Sequence, residues 1–150
     1  NHLLIGTHGR SIYVLALDVL HQLPEISDTS FALLPPKTQK HNKRWGSKNR
    51  EWSDAYAPNF HWTFFSQEPT SGVWSLVSDT GVVVFEQAES LTKGLQQLPY
   101  NLVMEAAVLK QYNRKHKTDL KPADDGNVYL PKGTYRFLWN NKQYSELVLE

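Results

Sequence analysis

The chain has 150 residues, a formal net charge of +1 and no cysteine. This near-neutral balance gives no sign of a nucleic-acid partner, and the missing cysteine excludes disulfides and thiolate chemistry. The length predicts one domain plus a tail, with enough chain for a real core. No apolar run approaches the roughly 20 residues of a membrane span. We therefore expect a globular protein with no nucleic-acid partner and no membrane span.

The N-terminal end carries two short β-rich runs, at residues 2–5 and 12–17, separated by Gly6-Thr-His-Gly9-Arg. The two glycines make this connection a tight turn, which predicts a β-hairpin about Thr7-His-Gly9. The leucines and isoleucines of both runs are too apolar for stable exposure. We therefore favour a hairpin that docks its apolar face on the C-terminal sandwich, over strands that join an edge of the sandwich or pair with another copy of the chain.

The composition changes after a short helix predicted at 21–23 and a strand predicted at 30–34, which Pro35 and Pro36 stop. Residues 37–50 hold four lysines and two arginines but no acidic residue. Charge runs of this kind usually form solvated segments. We predict a basic linker over residues 37–57, with Trp45 as its apolar anchor.

Short β-rich runs separated by turn signals follow from about residue 58 to residue 150. Asp79-Thr-Gly81 and Asn140-Asn-Lys142 each join two such runs, and both are typical turns of β-hairpins. The runs lie at 60–65, 73–78, 82–87, 98–104, 134–139 and 143–149. Regular short strands of this kind predict a mainly β protein, an immunoglobulin-like or fibronectin-like β-sandwich.

One segment departs from the strand pattern. Residues 104–117 are rich in helix formers, with an acid early and cations late, as the helix dipole prefers. Val108, Leu109 and Tyr112 form a narrow apolar stripe. We predict one helix, inserted between strands, that packs this stripe against the flank of the sandwich.

Two blocks of the chain resemble known families. Residues 3–15, which contain Thr7-His-Gly-Arg10, resemble the closing motif of sortilin-like β-propellers, the bacterial BNR-repeat proteins described as glycosyl hydrolases. The later segments resemble the immunoglobulin-like domain of flagellar hook-capping proteins, which such propellers often carry C-terminally. These segments are 73–79, 81–85, 94–102 and 131–135. The chain departs from that pattern near Val103-Met-Glu, where the insert is predicted to be helical.

The resemblance implies a domain order and a function. Residues 1–36 would be propeller-terminal strands and a short helix, residues 37–57 a basic linker, and residues 58–150 the sandwich. The chain would then be a non-catalytic C-terminal structural or interaction module of a larger secreted, periplasmic or cell-surface bacterial protein. Its partner would be the N-terminal β-propeller of the parent chain. The alternatives are a carbohydrate-binding accessory domain that contacts polysaccharide, and a part of a hydrolase.

No catalytic residues, cofactor or metal site are predicted. The six histidines are scattered without metal-binding spacing, and Ser90-Leu-Thr-Lys93 matches a nucleophile motif without its partner motifs. The acids and Asn127 of segment 119–127 could bind calcium, but a solvated loop explains them better. Asp79 has a structural role available, since it can accept a backbone N–H in its turn.

Four residues are candidate ligand or partner contacts. His8 and Arg10 could face the central channel of a whole propeller, or Arg10 could pair locally. Trp45 and Trp52 lie in or beside the basic segment, where charge and stacking together could grip acidic glycans or nucleic acid. The alternative is a solvated linker without a ligand. A carbohydrate-binding domain would instead expose a row of aromatics, for which Trp62, Trp74 and Trp139 are available if they do not form the core.

Overall fold

The structure is a computed structural model that describes residues 2–6, 12–17, 21–22, 28–50 and 52–150. The protein is mainly β, as predicted. The described strands are β1 (His2–Gly6), β2 (Ile12–Ala16), β3 (Phe31–Leu34), β4 (His61–Ser66), β5 (Thr70–Ser78), β6 (Val83–Leu91), β7 (Gly94–Pro99), β8 (Val103–Met104), β9 (Val128–Tyr129), β10 (Gly133–Trp139) and β11 (Lys142–Leu149). A 3-10 turn (Ala106–Val108) leads into the helix α1 (Leu109–His116).

Two antiparallel sheets form the sandwich, one in the order β3-β4-β7 and the other in the order β11-β10-β5-β6. This is an immunoglobulin-like arrangement in which the fourth strand of the sandwich, β6, extends the second sheet. Tyr135 adds a typical feature of that fold, because its hydroxyl donates a hydrogen bond to the carbonyl of Pro131 at 2.9 Å. The predicted β-sandwich is confirmed.

Aromatic rings from both sheets fill the space between them. Trp62 on β4 lies 4.6 Å from Phe137 on β10, measured between ring centroids, and Trp74 on β5 stacks on Phe137 at 5.5 Å. Trp62, Trp74 and Trp139 are all buried, so these three tryptophans form core and do not present a binding surface. In the described part of the chain, no helix is long and apolar enough to cross a membrane.

The two predicted hairpins are confirmed, and their turns follow from local chemistry. At the β5–β6 turn, Gly81 has a φ of 77°, and the carboxylate of Asp79 accepts a hydrogen bond from the Thr80 N–H at 2.8 Å. Asn140 and Asn141 have φ values of 48° and 64°, which matches a two-residue type I′ turn between β10 and β11. Both turns let the flanking strands pair directly.

The predicted domain boundary is corrected by β3. This strand pairs antiparallel with β4, from Phe31 opposite Ser66 to Leu34 opposite Thr63, so the sandwich begins near residue 31 and not near residue 58. Pro35 and Pro36 end the strand but do not end the domain. β3 pairs its backbone groups along the edge of β4, and its side chains Leu33 and Leu34 are buried in the core.

The segment predicted as a basic linker is also part of the sandwich. Gln39 forms a parallel bridge with Leu149, with hydrogen bonds from the Gln39 N–H to the Val148 carbonyl and from the Glu150 N–H to the Gln39 carbonyl, both at 2.9 Å. Further along, Trp45 is only 8% exposed. The segment therefore follows an edge of the second sheet and is anchored by the buried Trp45 ring. The backbone pairing of Gln39 and the burial of Trp45 outweigh the tendency of a charged segment to remain solvated.

The inserted helix is confirmed with shorter bounds. Met104 belongs to β8, where it pairs with Val128, so the helical turns begin only at Ala106. Tyr112 is buried, and Val108 and Leu109 pack half-buried against the core, as the predicted stripe requires. Lys117, with a φ of 54°, ends the helix in the left-handed conformation that is common at helix C-termini.

The N-terminal hairpin is confirmed, but its predicted docking is not. β1 and β2 pair antiparallel from His2 opposite Ala16 to Gly6 opposite Ile12. Leu3 and Leu4 are 43% and 67% exposed, so neither leucine is buried against the sandwich. The helix predicted at 21–23 is described only at residues 21–22, which are helical.

Two buried core tyrosines predict how stability responds to alkali. Burial raises the pKa of both the Tyr100 and the Tyr135 hydroxyl above the ordinary 10.0. Above that pH the unfolded chain releases these protons while the folded chain keeps them. The stability that they provide is complete below the unfolded pKa and falls as the pH rises beyond it, by about 1.4 kcal/mol per pH unit for each hydroxyl.

Urea unfolding at about pH 9 and about pH 11 measures this loss. Replacing Tyr100 by phenylalanine removes one of these titrating groups, so the difference in unfolding free energy between the two pH values should shrink. Equal unfolding free energies at both pH values for the unmodified chain would contradict the prediction.

Candidate functional site

A serine, an aspartate and a histidine meet at the end of the sandwich next to α1. Nε2 of His116 lies 2.7 Å from Oγ1 of Thr80, 3.3 Å from Oγ of Ser78 and 3.7 Å from Oδ1 of Asp79. The ring of Tyr112 stacks on the imidazole with centroids 3.9 Å apart. The sequence analysis did not identify this cluster, because Ser78 and His116 are distant in the chain and meet only when α1 packs on the β5–β6 turn.

The geometry of this cluster is not that of a hydrolytic triad. A triad needs the carboxylate on one imidazole nitrogen and the nucleophile on the other, whereas both Asp79 and Ser78 approach the same atom, Nε2 of His116. Oγ of Ser78 also accepts a hydrogen bond from the Val82 N–H at 3.1 Å, and Ser78 is 1% exposed. The cluster fastens the C-terminal end of α1 to the β5–β6 turn.

We expect a serine-reactive fluorophosphonate to leave the folded chain unlabelled, because Oγ of Ser78 is buried and the His116 nitrogen beside it also faces Thr80 and Asp79. Intact mass spectrometry, with a serine protease as the labelled control, checks this. Replacing Ser78 by alanine should lower the free energy of unfolding by about 1–3 kcal/mol, since the buried Val82 N–H loses its side-chain acceptor. A mass increase that disappears in Ser78→Ala would contradict the structural role.

A second candidate lies in the basic segment, in residues 43–50 and 52–56, here named the Trp52 loop. Its base is closed by two backbone hydrogen bonds, from the Gly46 N–H to the Tyr56 carbonyl at 2.8 Å and from the Tyr56 N–H to the Ser47 carbonyl at 3.0 Å. Near its tip, the Arg50 N–H donates to Oγ of Ser53 at 3.1 Å, and the Ser53 N–H donates to the Arg50 carbonyl. The loop therefore has a defined base and a defined turn.

Trp45 anchors this loop to the sandwich. Its ring lies 5.0 Å from the His41 ring and 6.0 Å from the Tyr129 ring, between centroids. Gly46 follows in the left-handed region with a φ of 76°, where an added Cβ would lie 2.4 Å from Cβ of Ala123. Because Trp45 is buried, it cannot stack on a ligand, and of the two tryptophans proposed as contacts only Trp52 presents its ring.

Trp52 and Tyr56 are the exposed aromatics of the loop. Trp52 is 79% exposed and Tyr56 is 50% exposed. The Arg50 guanidinium lies 5.2 Å from the Trp52 ring, and the Arg44 guanidinium lies 5.8 Å from the Tyr56 ring. Each exposed ring is thus accompanied by an arginine, a combination suited to a ligand with flat or apolar faces and negative charge.

The charges around the loop are mainly positive. Residues 43–56 include four cations, Lys43, Arg44, Lys48 and Arg50, and two acids, Glu51 and Asp54. Glu51 lies outside the described residues, and no described carboxylate lies at ion-pair distance from any of the four cations. At its base the pKa of His41 is lowered by burial, and the positive charges of Lys132 and Lys43 lower it further. The loop is therefore a small electropositive surface on a protein of near-zero net charge.

His8 and Arg10 lie outside the described residues. Tyr56 was missed because it stands alone in a polar stretch; its only sequence signal is its position four residues after Trp52, close to the arginines. Among the described residues no group of three or more His, Cys, Asp or Glu side chains is placed to hold a metal ion. Asp125 lies in the segment 119–127, for which calcium binding was the less favoured interpretation. Its carboxylate accepts hydrogen bonds from Asn127 and Tyr129.

The comparisons with known proteins found no relative. No family model matches the chain, and no curated protein and no solved structure matches it significantly.

Proposed function

We propose that this chain is a non-catalytic structural or interaction module at the C-terminal end of a larger secreted or cell-surface protein, a BNR-repeat, glycosyl-hydrolase-like β-propeller. The observation that carries the proposal is the β1–β2 hairpin, which forms a two-stranded sheet of its own beside a sandwich that already has both its sheets. The Thr7-His-Gly-Arg10 resemblance supplies the class of the parent.

An isolated two-stranded hairpin is marginally stable in water and needs further strands or a packed face. Leu3 and Leu4 are exposed, so the hairpin retains apolar surface that the sandwich does not cover. A sheet upstream in the parent chain would supply further strands for the hairpin to pair with and an apolar surface to cover its exposed leucines. The hairpin would then complete a propeller blade, and the sandwich would pack beside the propeller as its C-terminal module.

A second candidate function is that of a carbohydrate-binding accessory domain. The specific observation in its favour is the exposed Trp52 ring on an anchored loop. Sugar rings present apolar C–H faces, which stack on exposed aromatic side chains. This function is compatible with the first, since the Trp52 loop belongs to the sandwich and not to the hairpin.

Hydrogen–deuterium exchange tests the first function. In the 150-residue chain the amides of β1 and β2 should exchange much faster than those of β4, β5 and β10. In the same chain extended at its N-terminus with the preceding residues of its parent, the hairpin amides should become protected. Equal, strong protection of β1 and β5 in the unextended chain would refute the proposal, because the hairpin would then need no upstream sheet.

Truncation supplies the matched control. A chain that begins at residue 28 keeps β3 and should retain the melting temperature of the full chain, because the hairpin belongs to the upstream sheet. A chain that begins at residue 38 lacks β3 and should melt at a lower temperature, since β4 loses its edge partner. A large loss of stability in the first truncation would show that the hairpin stabilises the sandwich itself.

A further inference from the structure

We propose that the Trp52 loop is a binding site for an acidic polysaccharide, a polymer of sugar rings that carry carboxylates. This inference rests on the second candidate function and names its ligand class and its residues. It does not depend on an upstream propeller.

The loop is held in shape before any ligand arrives. Trp45 packs between His41 and Tyr129, and the hydrogen bonds of Gly46 and Tyr56 close the base. The Lys48 N–H also lies 3.4 Å from Oδ2 of Asp124, which connects the loop to the 123–127 turn. A site that is already ordered loses little conformational entropy on binding.

Two rings on this ordered loop face solvent. Trp52 has the most exposed side chain among the large hydrophobic residues that the structure describes, and Tyr56 is half exposed. The other four tryptophans are buried, so exposure of an indole is confined to this loop. A tryptophan and a tyrosine four positions apart give two stacking surfaces, which suits successive rings of a chain-like ligand better than a single small molecule.

The cations of the loop favour a negatively charged ligand. Arg50 lies over the Trp52 ring and Arg44 lies over the Tyr56 ring, so a ligand that stacks on the open face of either ring has a guanidinium close by. A guanidinium pairs with a carboxylate through two parallel hydrogen bonds. Lys43 and Lys48 add two further positive charges. A sugar polymer with one carboxylate on each ring or on every second ring meets both requirements.

The surroundings favour a hydroxyl-bearing polymer over nucleic acid. Asp54 and Asp124 are exposed acceptors in or next to the loop, and Oδ1 of Asn49 lies 3.4 Å from the Arg44 guanidinium. Sugar hydroxyls can donate hydrogen bonds to such acceptors, whereas the phosphodiester groups of a nucleic acid have no proton to donate. A net charge of +1 also falls short of the basic surface that sequence-independent nucleic-acid binding needs.

Fluorescence titration tests the proposal, because Trp52 is the exposed indole. The probes are a galacturonic acid hexamer, the neutral glucose hexamer cellohexaose, and oligo(dT) as a single-stranded nucleic acid. We expect the acidic hexamer to change the fluorescence, to bind at least tenfold more tightly than the neutral hexamer, and to weaken with added salt. Trp52→Ala should abolish the fluorescence change, and calorimetry should show an affinity loss of about tenfold or more.

Matched variants locate the site. Arg50→Gln and Arg44→Gln should each weaken the acidic hexamer, whereas Arg114→Gln, an exposed arginine on α1, should not. Val83→Ala, which truncates an exposed apolar side chain on β6, is the control for Trp52→Ala. Urea unfolding of every variant verifies that the sandwich remains folded.

The possible results distinguish a failure of this inference from a failure of the carbohydrate-binding function on which it rests. Equal binding of the neutral and acidic hexamers would overturn the inference while a carbohydrate-binding function stands. Binding of neither sugar would overturn both. Tighter binding of oligo(dT) than of the acidic hexamer would assign the loop to single-stranded nucleic acid. Acidic-hexamer binding that survives Trp52→Ala would place the site elsewhere and refute the role of this loop.

Discussion

Replacing Trp74 by alanine is expected to lower the free energy of unfolding by about 3–5 kcal/mol. Its ring stacks on Phe137 at 5.5 Å and lies 5.2 Å and 4.8 Å from Tyr100 and Phe85, between centroids. The indole N–H has no hydrogen-bond partner among the described residues, so the residue stabilises the core through packing. Truncation leaves a cavity that both sheets border and that close-packed neighbours fill only in part.

Trp52→Ala is the matched control, since it removes the same side chain from an exposed position. Its effect on unfolding should stay within about 0.5 kcal/mol, as for other surface substitutions. Urea unfolding followed by circular dichroism measures both variants under identical conditions. Similar losses in the two variants would contradict the burial of Trp74 or the exposure of Trp52.

Replacing Gly46 by alanine is expected to cost about 2–4 kcal/mol, the sum of left-handed backbone strain and overpacking. At a φ of 76° a side chain is strained, and the added Cβ would lie 2.4 Å from Cβ of Ala123 and 2.6 Å from Cε2 of Tyr129. Because Tyr129 also contacts Trp45, the clash would disturb the anchor of the Trp52 loop. The proposed glycan affinity should therefore fall together with the stability.

Gly126 separates the two contributions. It has a similar φ of 83°, but no atom lies within 4 Å of its added Cβ. Gly126→Ala should therefore cost about 1 kcal/mol, the backbone term alone. Urea unfolding of both variants isolates the packing term as their difference. Equal costs would mean that the Ala123 and Tyr129 side chains move aside without loss.

Much of the sandwich could be predicted because its signals are local. The Asp79-Thr-Gly81 and Asn140-Asn141 turns act through the φ preferences and side-chain hydrogen bonds of their own residues, so a turn can be recognised without its surroundings. The apolar stripe of α1 is equally local, since helical spacing alone places Leu109 and Tyr112 on one face. Its start was placed too early because Met104 pairs with Val128, a partner distant in the chain.

The strand at 31–34 shows what a local signal leaves open. Its β character was predicted, but assignment to the N-terminal block followed the two prolines and the basic residues after them. Only the free edge of β4 decides where the strand belongs, since a strand must pair its backbone groups and bury its apolar side chains. The same reasoning applies to Gln39, which pairs with β11 although it lies in a run of basic residues.

The two tryptophans of the basic segment show what the sequence alone could and could not decide. It determined that Trp45 and Trp52 accompany a cluster of cations, and hence that a charged aromatic site was available. It could not rank the two residues, because their local surroundings are alike. Tertiary structure decided that Trp45 fills a space between His41 and Tyr129, while Trp52 stays exposed among the described residues. Burial depends on the partners that the fold brings within contact, and those partners lie far away in the chain.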